Sequence, residues 1–425
     1  MLAAVKQQLT RIALALALVA AVAQPAAASA SLGGRVSAIV SGSRFAGPGT
    51  GIVIYDETRN RLVYAHSATD ELKPASNMKL TTAEAALGRI GVGTRLSTRV
   101  YMTGTRAGGT LTGSLWLVGG GDPSLSTAVF ATRAYGGAAG HIADLAAAVR
   151  AAGITRVTGR VYGDESLFDK VRTGPLWKPI YWRDCPPISA LSVNKSLYSF
   201  SQPTSYPSPA QRAAEVLRGS LAAHGVRVDH APRVYPKPST ATLVASEPSP
   251  PIYRLVLEMN RPSDNFFAEV LNKRIATAAG MAGTTYNGRR VTHAYLSSLG
   301  IDLSGSRMYD GSGLSTGDRL SARQILAVLR RASFQPYAGV FRSSLPLAGV
   351  NGTLSTRMRT GPAYANAQAK TGTLDDASAL SGYVRSANGH QLVFSILINR
   401  PALNIDAAHN LQDRIVQTLA GSSPL

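Results

Sequence analysis

Residues 74–90, PASNMKLTTAEAALGRI, are the stretch that decides how the rest of this 425-residue chain is organised. The pattern predicts a loop that turns into a helix, because proline is tolerated before a helix start but not inside one. Ser76 lies at the mouth of this helix and Lys79 follows three residues later, which places both side chains on one face within contact reach. Leu87 and Ile90 follow at a spacing that suits packing into a core.

A hydroxyl and an amine at this spacing are suited to nucleophilic catalysis. A serine must lose its proton as it attacks a carbonyl, and a nearby lysine accepts that proton only when the lysine is neutral. Because the pKa of a free lysine is about 10.4, the fold must bury the amine or place other cations beside it. The rest of the chain therefore has to supply this environment.

The Ser-x-x-Lys pattern is not specific by itself, because it occurs twice, at Ser76/Lys79 and at Ser192/Lys195. Taken alone, either copy is most simply a solvated pair on a helix face. The second copy runs into Pro203 with no helical pattern behind it. We therefore interpret the first copy as the functional one, provided that other motifs accompany it.

The first thirty residues have the composition of a secretory signal peptide. Lys6 and Arg11 form a positive lead, residues 12–23 are apolar, and small residues at 28–30 suit a cleavage site. The apolar run is too short to span a bilayer, and no later stretch is long and apolar enough to do so. We expect an exported protein, in the periplasm or on the outer face of the cell envelope, with no integral membrane span after cleavage.

Charge and cysteine content restrict the partners. The formal charge of +20 falls to +18 without Lys6 and Arg11, and the arginines are scattered rather than clustered. An anionic cell envelope is a more natural partner for an exported chain than nucleic acid, although a charge that only confers solubility explains the composition equally well.

Cys185 is the only cysteine, so we expect no intrachain disulfide and interpret it as a small buried residue. No metal motif or phosphate loop is present, so we expect no cofactor and no metal.

Length and pattern divide the chain into interleaved units. A chain of this length exceeds one compact core on the usual size of domains, so we expect two or three. Strands and helices alternate from 93 to 250, and the Pro/Ser-rich residues 246–251, SEPSPP, are predicted to be a linker. We therefore assign 31–92 and 251–425 to one domain and 93–250 to an insertion.

The two ends of the first domain predict one antiparallel sheet. An early hairpin is predicted over 50–66, and the Asn388-Gly389 pair is the strongest hairpin signal in the chain. Helices are predicted to begin near Ser263 and after Ser321. The hairpin and the terminal strands each have a face to bury, and the strands are predicted at 369–374, 379–384 and 390–399, before a last helix at 406–419. The expected fold class is α/β (α+β), with the first and last of the predicted helices packed against this sheet.

Two more motifs accompany Ser76 and Lys79. Ser263-Asp264-Asn265 opens a predicted helix, and Lys370-Thr371-Gly372-Thr373 lies on a predicted strand. Ser-x-x-Lys, Ser-x-Asn and Lys-Thr-Gly in this order are the set used by penicillin-binding proteins and class A β-lactamases. In that set, Ser76 attacks a carbonyl and Lys79 takes its proton. Ser263 relays a proton to the leaving amine, and Asn265 holds both Lys79 and a substrate amide.

The third motif supplies charge and hydroxyl groups. Lys370 adds a positive charge that disfavours protonation of Lys79 and attracts a substrate carboxylate. Thr371 and Thr373 offer hydroxyls to that carboxylate, and Gly372 lets the substrate backbone lie close to the strand. Backbone N–H groups at the nucleophile and at Thr373 are candidates for an oxyanion hole.

The long gap between Ser76 and Ser263, together with several flanking stretches, makes the chain resemble one family. It is similar to the D-alanyl-D-alanine carboxypeptidase/endopeptidases, the class C low-molecular-mass penicillin-binding proteins of peptidase family S13. A β-lactamase or a compact carboxypeptidase has a far shorter gap after the nucleophile. The similar stretches are LVGGGDPSLS at 117–126, SALSVN at 189–194, MNRPSDN at 259–265, DGSGLS at 310–315 and AKTGTLDDASALSGYV at 369–384.

The resemblance implies a serine DD-peptidase/β-lactamase-like domain, with an antiparallel sheet and a helical subdomain, interrupted by an inserted α/β domain. It implies cleavage of the terminal D-Ala-D-Ala bond or the peptide cross-bridge of peptidoglycan, and acylation of Ser76 by β-lactams. It also implies that an acid of the insertion meets the amino end of a diamino acid, at the position of Asp164. The balance between the two cleavages and the oligomeric state stay open.

A second enzyme class, the α/β-hydrolases, also has a matching motif in this chain. Residues 313–317, GLSTG, match the Gly-x-Ser-x-Gly of α/β-hydrolases, with His390 and His409 downstream. The preceding residues are loop-like and the next helix begins only at Ser321, so we expect a structural turn.

Two alternatives share the expected fold. A serine β-lactamase or esterase forms the same acyl-enzyme and releases it quickly, but no glutamate is placed by a known spacing to activate water, so we expect slow release. A peptidoglycan-binding scaffold with a relict site has no reason to keep Lys79, Asn265 and Lys370 together.

Overall fold

Two β-sheets organise the protein, for which a computed structural model describes residues 31–199 and 204–423. The predicted signal peptide, residues 1–30, lies outside these ranges. No helix within the described ranges combines the length and the apolar character needed to cross a membrane.

The elements are numbered in chain order. The strands are β1 (Thr50–Asp56), β2 (Arg61–His66), β3 (Arg95–Ala107), β4 (Thr110–Val118), β5 (Arg156–Val157), β6 (Val161–Asp164), β7 (Arg227–Val228), β8 (Arg233–Val234), β9 (Thr242–Pro251), β10 (Gln368–Leu374), β11 (Ala377–Arg385) and β12 (Gln391–Asn399). The α-helices are α1 (Leu32–Ser41), α2 (Met78–Ala85), α3 (Ala128–Tyr135), α4 (Ile142–Ala151), α5 (Pro209–Ala223), α6 (Ile252–Asn260), α7 (Asn265–Ala278), α8 (Thr285–Ser298), α9 (Ala322–Ser333), α10 (Ala338–Ser343) and α11 (Ile405–Ala420).

The five-stranded sheet joins the two ends of the chain. Its order is β10-β11-β12-β1-β2, and every neighbouring pair is antiparallel. The predicted antiparallel sheet is therefore confirmed. Gly389 lies in the turn between β11 and β12 with a φ of 86°, which explains why a glycine follows Asn388.

Alternating side chains bury both faces of this sheet. On one face, Ile52 and Phe394 pack with α1 and α11, and on the other, Val53 and Val393 pack against the central helices. Each such side chain contributes about 1.5–3 kcal/mol when it leaves water. Helix α1, which had no clear signal in the sequence, covers the sheet together with α11.

The seven-stranded sheet has the order β7-β5-β4-β3-β9, with β6 pairing with β4 and β8. Helices α4 and α5 pack against it in a core of their own. The prediction of a linker at 246–251 is wrong, because these residues are the end of β9 and pair with β3. β9 is an edge strand, where a proline removes no ladder hydrogen bond that the sheet needs. The assigned domain boundaries themselves stay a prediction.

The central helices, α2 and α6 to α9, form the third packed region. Phe266 and Phe267 of α7 are fully buried there. The same core includes Phe168 and Cys185, from the segment between β6 and α5. Cys185 is free and buried, as interpreted from the sequence. The segment between β6 and α5 is thus packed against the helices that carry the motifs.

Candidate active site

Ser76 lies in a strained turn. A 3-10 turn over Ala75–Asn77 runs directly into α2. Ala75 has a φ of 46°, a left-handed conformation that costs a residue with a Cβ about 1–2 kcal/mol. Gly313 packs against this turn so closely that a Cβ there would lie 1.8 Å from the Ala75 carbonyl oxygen. Close packing therefore holds the turn that presents Ser76.

The side chain of Lys79 is fully buried and points at Ser76. Its Nζ lies 2.9 Å from Ser76 Oγ, 2.6 Å from Asn265 Oδ1 and 2.8 Å from the carbonyl oxygen of Ser312. Burial lowers the pKa of Lys79 to about 8, against the opposing charges of nearby acids. A lysine with that pKa is neutral in a useful fraction of molecules near neutral pH, as a general base must be.

Lys370 and Ser263 form a second amine–hydroxyl pair. Lys370 Nζ donates to Ser263 Oγ at 2.8 Å and to the carbonyl oxygen of Thr371 at 3.0 Å. Burial lowers the pKa of Lys370 well below its usual value, and the charge of Lys79 lowers it further. Ser263 precedes α7 with a φ of 63°, and Asp264 caps the helix, which begins at Asn265, in agreement with the predicted start near Ser263.

Strand β10 passes directly beside the nucleophile turn. A Cβ at Gly372 would lie 3.0 Å from both the Pro74 carbonyl oxygen and the Ser76 backbone nitrogen, which is why this position suits glycine. The Thr371 hydroxyl is 2.6 Å from the Thr353 hydroxyl, and Thr373 is exposed. The third motif is thus brought to the first, as its residues had predicted.

A cleft of about 480 Å³ opens above these groups. Its lining includes Ser76, Ser263, Asn265, Thr371 and Thr373 from the motifs. It also includes five residues that the sequence did not single out for this site: Tyr181, Asp184, Thr353, Arg357 and His409. No motif marks these residues, because their positions depend on how the insertion and α11 pack around the sheet.

Asp164 is not brought to this cleft. It ends β6, and its carboxylate accepts hydrogen bonds of 2.8 Å from the backbone nitrogens of Ser166 and Lys237. The local turn and the neighbouring strand connection thus take both oxygens. The acids that line the catalytic cleft are Asp184 and Asp375 instead.

The loop 310–315 contacts Lys79 through the carbonyl oxygen of Ser312, and buried acids hold this loop in place. Glu269 is fully buried and accepts hydrogen bonds from the backbone nitrogens of Gly311 at 3.0 Å and Ser312 at 2.8 Å. Burial and the nearby Asp310 raise the pKa of Glu269 to about 7. Asp310 also accepts from Trp177 Nε1 at 2.7 Å, so a residue of the inserted segment braces this loop.

The Gly-x-Ser-x-Gly stretch is a turn, as expected. Ser315 is buried and its backbone nitrogen donates to Asp310 at 2.7 Å. His390 instead pairs with Asp56 at 2.7 Å, at the end of β1. Among the described residues, no group of His, Cys, Asp or Glu side chains is placed to hold a metal ion.

These distances define a class of enzyme, a serine acyl-transfer enzyme with a buried lysine base. The Ser76 hydroxyl lies beside Lys79, whose pKa is lowered, and the Asn265 amide oxygen accepts a hydrogen bond from that lysine. A second lysine–serine pair, Lys370 and Ser263, belongs to the same site. Such a site forms and breaks an ester on Ser76 without a histidine.

The chain belongs to the D-Ala-D-Ala carboxypeptidase 3 (S13) family, whose model matches residues 32–205 and 200–421. It is 29% identical to a D-alanyl-D-alanine carboxypeptidase of Actinomadura sp. (strain R39), over 86% of this chain and 80% of that protein. It is 32% identical to carboxypeptidase DacB of Mycolicibacterium smegmatis, over 83% of this chain and 78% of the relative. The resemblance predicted from the motifs is therefore confirmed.

The fold has a solved counterpart. The crystal structure of penicillin binding protein 4 (dacB) from Haemophilus influenzae matches with a TM-score of 0.75, at 20% identity, over 91% of this chain and 99% of that one. The predicted fold class is confirmed by this match.

Proposed function

We propose that this protein removes the terminal D-alanine from peptidoglycan stem peptides through an acyl-enzyme on Ser76. The observation that carries the proposal is the position of Lys79 Nζ, which lies within hydrogen-bond reach of both Ser76 Oγ and Asn265 Oδ1. Membership of the carboxypeptidase family points to the same reaction.

The first half of the reaction forms the ester. Ser76 Oγ attacks the carbonyl carbon of the penultimate residue while Lys79 takes the hydroxyl proton. The carbon–nitrogen bond then breaks, and the leaving amine receives a proton from Ser263, which Lys370 replaces across their 2.8 Å hydrogen bond. Thr371 and Thr373 are suited to bind the terminal carboxylate, since both line the cleft.

The second half releases the product. A water molecule gives a proton to Ser263, which passes its own proton back to the now neutral Lys370, as the water oxygen attacks the ester carbonyl. The bond to Ser76 Oγ then breaks, and Lys79 returns to the serine the proton that it took in the first half. β-Lactams are proposed to acylate Ser76 by the same first step, and the Haemophilus influenzae protein with this fold is described as penicillin-binding. Within the part of the chain that the structure describes, no carboxylate forms a hydrogen bond with Ser76 Oγ, so we expect slow release of the β-lactam acyl-enzyme.

Recognition of a cationic stem-peptide residue is assigned to Asp184 rather than to Asp164. Asp184 lines the cleft, and burial together with the neighbouring Asp375 raises its pKa. A substrate ammonium group placed there would offset that burial. The expected place of action is outside the cytoplasm, as the composition of residues 1–30 predicts.

Mass spectrometry of purified muropeptides tests the reaction. Incubation with the protein should remove one terminal D-alanine, and Ser76→Ala should abolish the loss. Ser315→Ala is the matched control, since this second serine sits in a buried turn, and it should keep the activity. Labelling by a fluorescent penicillin should follow the same pattern. Loss of activity only in the Ser315 variant would refute the assignment.

A further inference from the structure

A second cleft, of about 430 Å³, lies between the start of β3, the end of β6 and helix α7. We call it the basic cleft. Four cationic side chains line it, together with a single carboxylate, that of Asp164: Arg95, Arg99, Lys237 and Arg274. None of the motif residues of the catalytic site lines it.

The four cations have no acidic partner. Within residues 31–199 and 204–423, none of them forms an ion pair. Arg95 donates to the Ser249 carbonyl oxygen at 2.9 Å, and Lys237 donates to its neighbour's carbonyl oxygen at 3.0 Å. The carboxylate of Asp164 is already engaged by two backbone N–H groups. The cleft therefore carries positive charge that the protein does not neutralise locally.

Arg274 is the most deeply placed of the four. Its aliphatic stem packs on Gly121, where a Cβ would lie 2.5 Å from Arg274 Cδ. Its Nη1 donates to Thr277, and its Nε is buried without a partner. Burial lowers the pKa of Arg274, and no carboxylate offsets that effect. A half-buried guanidinium without a counter-charge is costly unless an anion binds there.

The glycine run 119–121 builds one wall of this cleft. Gly119 and Gly120 line it, and a Cβ at Gly120 would lie 2.1 Å from the Ser97 carbonyl oxygen. A Cβ at Gly119 would lie 2.2 Å from the Ala190 carbonyl oxygen. Side chains at these two positions would therefore displace the backbone that borders the cleft.

The basic cleft is close to the catalytic one. Arg274 follows Asn265 by nine residues on the same helix, which corresponds to about 14 Å along the helix axis. Peptidoglycan carries carboxylates on each of its stem peptides, so a strand bound at Ser76 would present further carboxylates at such distances. A phosphate polymer of the envelope has the same sign of charge but is not part of the polymer that is bound at Ser76, so a peptidoglycan carboxylate is the occupant that we favour.

We propose that the basic cleft binds a carboxylate-bearing part of peptidoglycan outside the stem peptide that is being cleaved. This inference rests on the proposed function for the identity of the polymer. The cleft then increases affinity for the assembled wall and has no role in the cleavage of a short soluble peptide.

Co-sedimentation with purified sacculi freed of phosphate polymers tests the proposal. The Ser76→Ala protein is the starting point, so that the polymer is not consumed. Adding Arg95→Gln, Arg99→Gln and Arg274→Gln should weaken binding about tenfold at moderate salt, because three charge-assisted contacts are lost. The double variant at positions 95 and 99, both exposed, should weaken it about threefold and guards against misfolding of the triple variant.

A matched triple variant controls for net charge. Arg35→Gln, Arg133→Gln and Arg323→Gln remove the same charge from exposed arginines that do not line the cleft, and should leave binding nearly unchanged. Sacculi whose carboxylates have been amidated should bind all variants equally weakly. Equal losses in the two triple variants, undiminished binding to amidated sacculi, or binding that requires attached phosphate polymers would each overturn the proposal.

Activity separates this proposal from the proposed function. With Ser76 restored, every variant should hydrolyse a short peptide ending in D-Ala-D-Ala at the unmodified rate. Loss of that rate in the basic-cleft variants would place the cleft in the catalytic machinery and refute the inference. If no form of the protein hydrolyses the peptide but the binding difference persists, the proposed function fails while the peptidoglycan site stands.

Discussion

The two Ser-x-x-Lys copies of this chain have the same residue spacing, but their serines and lysines lie in different environments. At the first copy, Lys79 lies 2.9 Å from Ser76, fully buried, with an amide and a carbonyl oxygen as its other contacts. At the second copy, Ser192 bonds to Ser196 at 2.9 Å, and Lys195 forms an ion pair with Asp264. Burial lowers the pKa of Lys79 and so makes it a candidate base, whereas Lys195 is held in an ion pair with a carboxylate.

The second copy nevertheless supports the first. Asp264, the partner of Lys195, caps α7 by accepting from the Phe267 nitrogen at 3.0 Å. It stands between Ser263 and Asn265 in the chain. The ion pair thus fixes the inserted region to the start of the helix that delivers both residues to the cleft.

Removing the amine of the first copy should have the largest effect. Lys79→Gln should reduce kcat for D-alanine release by about 10²–10⁴-fold, the usual range for a general base. Lys195→Gln is the matched control for loss of a lysine and should change kcat by about tenfold at most. Steady-state kinetics on a peptide ending in D-Ala-D-Ala measure both values of kcat. Equal losses of kcat in the two variants would show that the two copies do not differ in function.

The pH profile sharpens the same comparison. Because Lys79 must be neutral and its pKa is lowered to about 8, kcat/KM should rise with pH through that value. For one group with this pKa, the increase between pH 6 and pH 8 is about fiftyfold. A profile that turns near pH 10 instead would mean that Lys79 behaves as an ordinary solvated lysine. The profile of Ser315→Ala should match that of the unmodified protein.

The sequence predicted the elements whose chemistry is local. The three motifs, the hairpin at Asn388-Gly389 and the capping serine of α9 all depend on neighbouring residues in the chain, and all are found. The Ser321 cap is complete, with Gln324 returning the hydrogen bond. Order and local context were enough to identify the family.

The sequence could not predict contacts that depend on packing. Residues 246–251 look like a linker, yet their place at a sheet edge makes them a strand. Asp164 has the acidic side chain that binding of a substrate ammonium group requires, but its carboxylate accepts hydrogen bonds from two backbone nitrogens instead. Tyr181 and Asp184 reach the cleft only because the segment that carries them packs into the core of the central helices.

Gly313 tests how much the nucleophile turn depends on close packing. Gly313→Ala should destabilise the protein by about 3 kcal/mol, from its positive φ and from the 1.8 Å approach to Ala75. It should also slow penicillin labelling about tenfold, since Ser76 would shift. Gly136→Ala has a φ of 59° and nothing within 4 Å, so it measures the backbone cost alone, about 1 kcal/mol. If urea unfolding shows equal destabilisation by Gly313→Ala and Gly136→Ala, the nucleophile turn can move to accommodate a Cβ, and close packing does not hold it.

The smallest effect is expected where the second copy supports the first. The side chains of Lys195 and Asp264 are 17% and 13% exposed, so Lys195→Gln should cost less than breaking a fully buried pair, about 2 kcal/mol. Asp264 keeps its hydrogen bond to the Phe267 nitrogen, so α7 should still begin at Asn265 and the rate should fall only a few-fold. Lys178→Gln breaks an ion pair at 41% and 78% exposure and should change the unfolding midpoint less, because solvent screens exposed ion pairs. Unfolding midpoints of the two variants measure the difference, and a Lys195 variant as stable as the Lys178 variant would leave the second copy without a supporting role.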